Sequence, residues 1–223
     1  VRVAVLGGHG KTGRAVVGGL AARGTEALPL GRADWPRLTR TVRGCDAAYV
    51  IAPNLHPDEP SYVAEALAAL SEAGVGRVVY HSVASPYAPA MPHHLGKAAS
   101  EDLVRRSGLD WTILQPGAYL QNLDLTGPVD VPYSLDARFG FLDLADLGRA
   151  AAAVLTQPGH VGATYELASR AASVRELADE AGVPSRRVDD PQVHPWLSAM
   201  FAYYDDHGLP VGTRVLDVLL GRS

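Results

Sequence analysis

Short apolar runs recur along this chain, and most are separated by stretches whose apolar positions fall three or four residues apart. The runs are Val3–Leu6, Ala27–Leu30, Ala47–Ile51, Arg77–His81, Trp111–Leu114 and Thr164–Leu167. Each predicts a strand buried on both faces. Between them, Ser61 to Leu70 puts Val63, Leu67 and Leu70 on one face of a helix, and Asp143 to Leu155 does so with Leu144, Leu147, Ala151, Val154 and Leu155. Ser173-Val174-Arg175-Glu176 reads as a capping box. It opens a helix whose apolar stripe is Val174, Leu177, Ala178 and Ala181, closed by Gly182 and Pro184. Strand and helix in alternation predict an α/β fold, a doubly wound parallel sheet with helices on both faces.

The interval from Leu30 to Asp46 breaks this rhythm. A crossover alone needs about 10–12 residues, and Asp34 to Arg43 supplies one helix only. Either a helix and strand have been lost here, or a stretch is missing between Arg32 and Asp34. Asp34-Trp35 resembles a strand end without its strand, which favours the missing stretch. Near the other end, the Pro-rich segment Asp189–Pro195 leads into Trp196, Leu197, Met200, Phe201, Tyr203 and Tyr204. We read this as a small, mostly helical subdomain, residues 169–223 interleaved with part of 117–142, that covers a substrate cleft beside a main domain of residues 1–168.

The first run empties into Gly7-Gly8-His9-Gly10-Lys11-Thr12-Gly13, and a helical pattern follows with Ala15, Val16, Val17 and Leu20. A buried strand that ends in a glycine-rich turn opening a helix is how a Rossmann-type fold binds a pyrophosphate. Gly8, Gly10 and Gly13 satisfy G-x-G-x-x-G, and Gly7, Gly10 and Gly13 satisfy G-x-x-G-x-x-G. Gly10-Lys11-Thr12 resembles the end of a Walker A motif, but Val5 stands where that motif needs its first glycine. The loop therefore predicts a dinucleotide, with Gly7, His9, Gly10, Lys11, Thr12 and Gly13 along it.

The rest of the composition narrows the class. The chain has 223 residues, 47% of them apolar, and a formal net charge of −4, which argues against a nucleic-acid surface. Cys45 is the only cysteine, so no internal disulfide is possible. The absence of an apolar run of about 18 residues argues against a membrane span. Val1 leads directly into a strand and leaves no room for a signal peptide, so the expectation is a cytoplasmic protein. The only two lysines are Lys11 and Lys97. No His or Cys spacing predicts a metal site; His93 and His94 are adjacent and diverge.

The second strand ends in Gly31-Arg32 with no acid at its end. A carboxylate there would bind a ribose 2′-hydroxyl, whereas an arginine pairs with a 2′-phosphate. The expected cofactor is therefore NADP(H), with Arg32 on the phosphate, Lys11 adding a second charge and Arg14 a third candidate.

Several segments together resemble the NmrA-like branch of the atypical short-chain dehydrogenases/reductases. They are the loop Gly7–Gly13, Arg77-Val78-Val79-Tyr80-His81-Ser82, His93-His94-Leu95-Gly96-Lys97 followed by Glu101, Ser107-Gly108-Leu109-Asp110-Trp111-Thr112-Ile113-Leu114-Gln115-Pro116-Gly117, Asn122, and Phe141-Leu142-Asp143-Leu144-Ala145-Asp146. The resemblance weakens after about Ser169. It implies NADPH-dependent reduction of quinones, dyes or plant phenolics, or a cofactor-sensing regulator without turnover.

By the same resemblance, Lys97 contacts the nicotinamide ribose. The parent superfamily's tyrosine, four residues earlier, is replaced by His93. An imidazole one helical turn from Lys97 can replace the phenol as proton donor, or His93 is simply a loop residue; Tyr87 and Tyr119 are alternative donors. Pro116, Gly117 and Tyr119 are expected along the carboxamide, Ala52 and Pro53 near a ribose, Asp34 and Trp35 beside adenine. Ser82 either bonds a substrate oxygen or caps a turn. Gln115 stands where the family has arginine, which puts any ion pair there in doubt. Asp143 and Asp146 are read as helix N-terminal residues. Three functions remain open: an NADPH-dependent reductase of a small aromatic or quinone-like molecule, a non-catalytic NADP(H) sensor, and a biosynthetic tailoring enzyme. The expected partners are a nicotinamide dinucleotide and a small-molecule substrate, or for the sensor a partner engaged through a cofactor-dependent surface, with the protein a monomer or homodimer.

Overall fold

The computed structural model describes residues 1–189 and 193–222; part of the Pro-rich segment Asp189–Pro195 lies outside the described residues. In chain order the elements are β1 Arg2–Leu6, α1 Lys11–Ala21, β2 Glu26–Leu30, a 3-10 turn Arg32–Arg37, α2 Leu38–Thr41, β3 Ala47–Val50, α3 Glu59–Ala73, β4 Arg77–His81, α4 Pro92–Arg105 and β5 Asp110–Pro116. Then come β6 Ala118–Tyr119, β7 Val129–Val131, β8 Phe139–Leu142, α5 Leu144–Thr156, β9 Ala163–Leu167, β10 Arg170–Ala172, α6 Val174–Ala181, β11 Ser185–Arg187, α7 Pro195–His207 and α8 Arg214–Leu219.

The six apolar runs form one parallel sheet in the order β2-β1-β3-β4-β5-β9, as the pattern predicts. Its central strands have little choice. Val3 to Leu6 and Ala47 to Val50 are buried on both faces, which requires helices on both sides. One face packs Val3, Val5 and Tyr49 against α1, α5 and α8; the other packs Ala4, Leu6 and Tyr80 against α2, α3 and α4. Helices α1 and α5 touch backbone to backbone. A Cβ on Gly19 would collide with the Gly148 carbonyl oxygen, and one on Gly148 with that of Ala15.

The short interval after Leu30 resolves differently from expectation. The chain runs continuously through Arg32–Asp34 as a 3-10 turn interrupted by Pro36, followed by a single turn of α2. These two short pieces carry the chain across β1 to β3, so β2 is left as the sheet edge. Asp34 and Trp35 therefore end no strand. The physical reason is economy of geometry: a compact 3-10 turn covers the crossover without an outer strand to reach.

A third core holds the remainder. Val129, Val131, Phe139, Phe141, Val174, Leu177, Tyr204 and Leu209 cluster around the small sheets β10-β8-β6 and β11-β7. The described residues of segments 129–141, 168–183 and 200–211 thus share one core.

Candidate functional site

The order β2-β1-β3 makes successive connections leave β1 in opposite directions, and such a switch point opens a crevice at the strand ends. Here the crevice is a cavity of about 1780 Å³. Pockets for small ligands are typically about 300–1,000 Å³, so this one has room for a dinucleotide together with a second molecule.

At one end lies the glycine loop. Gly7 has φ +79°, and a Cβ there would press on the Ile51 carbonyl oxygen at 2.9 Å. A Cβ on Gly13 would collide with the Gly7 carbonyl oxygen, so Gly13 is needed for the loop to fold against α1. A Cβ on Gly10 meets only Gly7 O, at 3.4 Å. Gly10 also caps α1 without any side-chain hydrogen bond. The first-turn N–H groups and the helix dipole are thus left facing the cavity, as a pyrophosphate requires. The residues fit a dinucleotide on this ground alone. His9, Lys11 and Thr12 line the same end. Lys11 does not reach toward Arg32: its Nζ donates to Asn122 Oδ1 at 2.7 Å and lies over the Tyr119 ring. Arg14 donates to the His9 carbonyl and braces the loop.

Arg32, Trp35, Ala52 and Pro53 line the cavity beyond the loop, and Trp35 stacks on Tyr62 with ring centroids 4.2 Å apart. Asp34 does not line it. Its Oδ2 accepts the Gly31 N–H at 2.8 Å, which ties the carboxylate into the turn. The acid nearest the end of β2 is thereby turned onto the backbone, and the Arg32 side chain faces the cavity.

Where β4 and β5 end, Ser82, Lys97, His93, Pro116, Gly117 and Tyr119 converge on the cavity. Lys97 is buried, and its Nζ pairs with Glu59 Oε1 at 2.8 Å while donating to the His81 carbonyl at 3.1 Å. Tyr80 also donates to Glu59, at 2.6 Å. The lysine is thus a held ammonium with one N–H left for a ligand. His93 reaches the cavity, but burial and then the Lys97 charge push its pKa down to about 4. The ring is neutral at neutral pH and has no imidazolium proton to give, contrary to the expectation for this position. The Ser82 hydroxyl is committed as well: it donates to the buried Glu101 at 2.5 Å. Gln115 donates to the same carboxylate at 2.7 Å and Arg105 pairs with its other oxygen at 2.9 Å. The charge that Gln115 lacks is therefore supplied by Arg105, one helical turn beyond Glu101.

The sequence reading did not find a buried chain of hydrogen bonds at this junction. Tyr49 Oη lies 2.7 Å from His81 Nδ1, and Tyr119 Oη lies 2.8 Å from His81 Nε2. Burial, and then Lys97, push the His81 pKa down to about 3; burial pushes the Tyr119 phenol up to about 12. Tyr49, His81 and Tyr119 sit on three different strands, so no local spacing announces them. Glu59 escaped for the same reason, standing 38 positions from Lys97. Exposed Tyr87 bonds Arg105 on the surface.

The far end of the cavity is apolar and aromatic, lined by Val129, Val131, Tyr133, Phe139, Phe141, Met200, Phe201 and Tyr204. Asp143 caps α5 as expected, accepting from Ala145 N–H at 2.6 Å. Asp146 lies in the first turn of α5, pairs with Arg149 of the same helix and ties it to Ser169 and Arg222. Among the described residues no helix is long and apolar enough to cross a membrane, and no group of three or more His, Cys, Asp or Glu side chains is placed to hold a metal ion.

A family model described as NAD(P)H-binding matches residues 33–158, more than half of the chain. The chain belongs to this NAD(P)H-binding family, and its fold is that of the NmrA-like short-chain dehydrogenases/reductases its motifs resemble. Among relatives, it is 30% identical over 183 residues to an NAD(P)H azoreductase of Xenophilus azovorans, covering 76% of this chain and 63% of that protein. It is 27% identical over 172 residues to quinone oxidoreductase 2 of Escherichia coli, covering 72% and 59%. The chain thus spans less than two thirds of the length of these curated relatives. Among solved structures, an NADPH-dependent quinone oxidoreductase from Escherichia coli in complex with NADPH superposes with a TM-score of 0.78 at 21% identity, covering 99% of this chain and 95% of that one. The negative transcriptional regulator NmrA with NAD gives 0.78 at 17% identity, covering 99% and 91%.

Proposed function

We propose that this protein is an NADP(H)-dependent reductase of a small aromatic or quinone-like substrate. The observation that carries the reading is the continuity of the cavity, from an uncapped helix N terminus through Lys97 and Tyr119 to an aromatic chamber. In this reading residues 1–168 hold the dinucleotide, and residues 169–223 with part of 117–142 cover the substrate. When bound, the dinucleotide supplies a hydride at the junction. The chain's own residues do the rest: Gly10 and the α1 N terminus bind the pyrophosphate, Arg32 the 2′-phosphate, and Lys97, held by Glu59, a ribose hydroxyl. Ala52 and Pro53 line the ribose wall, Trp35 lies toward adenine, and Pro116, Gly117 and Tyr119 flank the carboxamide. The azoreductase and quinone oxidoreductase relatives support this chemistry.

A second reading, an NADP(H) sensor without turnover, is favoured by one observation: a neutral, buried His93 occupies the position of the superfamily's catalytic tyrosine. The test is incubation with NADPH and a panel of quinones, azo and triphenylmethane dyes, and aromatic ketones, following loss of reduced-nicotinamide absorbance. Oxidation dependent on one of these substrates is expected. NADPH binding with no oxidation across the panel would overturn the reductase reading in favour of the sensor.

A further inference from the structure

We propose that Tyr119 is the proton donor of the reduction, its hydroxyl aimed into the cavity by a hydrogen-bond direction set at Tyr49 and transmitted through His81. The inference rests on the reductase reading above and deepens it.

The direction follows from what Tyr49 can reach. Its side chain is fully buried among Val3, Val79 and Leu114, and among the described residues its hydroxyl bonds only His81 Nδ1, at 2.7 Å. A neutral imidazole offers one donor and one acceptor. With the proton on Nδ1, Tyr49 would accept and its own O–H would be stranded in an apolar core, a costly arrangement. With Tyr49 donating, Nδ1 is the acceptor and the ring proton sits on Nε2. Nε2–H then donates to Tyr119 Oη at 2.8 Å. The Tyr119 proton is left for an acceptor in the cavity, because among the described residues the other hydroxyl in reach, that of Thr12 at 3.5 Å, itself donates to Tyr119 Oη.

The competing donors are otherwise engaged. Ser82 is committed to Glu101, His93 is neutral, and Tyr87 is on the surface. Tyr119 and His81 both line the cavity beside Lys97. When a substrate carbonyl has taken up a hydride from a reduced nicotinamide, the Tyr119 O–H bond breaks and an O–H bond forms on the substrate oxygen. The His81 Nε2–H bond stabilises the phenolate left behind. Water in the open cavity returns a proton to it, so each turnover consumes one hydride and one solvent proton.

Nitrogen-15 NMR of the ligand-free protein tests the direction. His81 is expected to show a protonated Nε2 and a bare Nδ1; the opposite tautomer would overturn the proposal. In Tyr119→Phe, kcat for an aromatic ketone is expected to fall on the order of 100-fold, with NADPH affinity by calorimetry kept within about threefold. In Tyr49→Phe the His81 nitrogen shifts should move toward a mixture of tautomers, with a smaller loss in kcat. Unchanged shifts there would remove the positioning role of Tyr49. Turnover by Tyr119→Phe equal to the unmodified protein would sink the Tyr119 assignment alone. No turnover by the unmodified protein would sink the reductase reading itself.

Discussion

Gly10 and Gly13 look alike in the sequence and differ in what they exclude. Gly13 holds the loop against α1, whereas the space at Gly10 opens toward the ligand. Gly13→Val should therefore unfold the loop and lower the melting temperature, costing on the order of 2 kcal/mol or more. Gly10→Ala, at a φ of −73° that alanine adopts freely, should melt as the unmodified protein does yet bind NADPH about tenfold or more weakly by calorimetry. An equal binding loss accompanied by equal destabilisation in both would contradict this division. Lys97 presents the reverse hazard. Removing it strands the buried Glu59 carboxylate, so Lys97→Met should cost about 3–5 kcal/mol in urea denaturation, and Glu59→Gln in the same chain should restore much of it. Arg32 belongs to neither case, being exposed and bonded through its side chain to none of the described residues. NADPH should bind at least about tenfold tighter than NADH, about 1.4 kcal/mol, and Arg32→Ala should erase most of that gap; equal affinities in the unmodified protein would refute the preference.

At the scale of elements, α6 shows how far local chemistry reaches. Ser173 Oγ accepts the Glu176 N–H and Glu176 accepts the Ser173 N–H, while Gly182 closes the helix at φ +69°. Ser173→Ala should cost about 1 kcal/mol in thermal or urea unfolding. That box was legible because caps are written in adjacent residues, and the central strands β1, β3, β4 and β5 because burial on both faces leaves a nearly continuous apolar run. The strands β6, β7, β8, β10 and β11 were not read. At two to four residues each, such as Ala118–Tyr119 or Arg170–Ala172, they carry too few positions to show a period, and non-local partners decide them. The site divides likewise. The glycine loop and the Lys97 helix are contiguous motifs. The Glu59–Lys97 pair exists only once α3 packs beside α4, and the Tyr49–His81–Tyr119 chain only once β6 of the small sheet lies against β3 and β4 of the main one. Asp34 misled because the residue count suited a strand end, while the turn geometry bent its carboxylate back to Gly31.

For the molecule as a whole, buried histidines set the response to acid. Burial holds His81 near 3 and His93 and His94 near 4, whereas an unfolded histidine titrates near 6.5. Below that pH the unfolded chain takes up protons that the folded one refuses, so stability falls as pH drops from about 6.5 toward 4 and is level above it. Three such groups amount to on the order of 4 kcal/mol lost between pH 7.5 and 5.5, measurable by urea denaturation at the two values; His94→Gln should remove about a third of the slope. Asp146 acts lower down. Burial works against its ionisation, but hydrogen bonds from Arg222, Arg149 and Ser169 outweigh it and hold the carboxyl below its usual range. Its contribution is complete above about pH 4 and disappears only in stronger acid. The place of β2 at the sheet edge has a separate outcome. Leu30 turns its carbonyl to Gly8 in the inner loop, and neighbouring residues of a strand face opposite ways, so position 29 points its backbone outward. Proline stands there, with no N–H to offer. The β2 border of the sheet is thus interrupted one residue before its end, and a foreign strand laid along it would lack a rung. Aggregation by sheet extension is discouraged by a single ring closure.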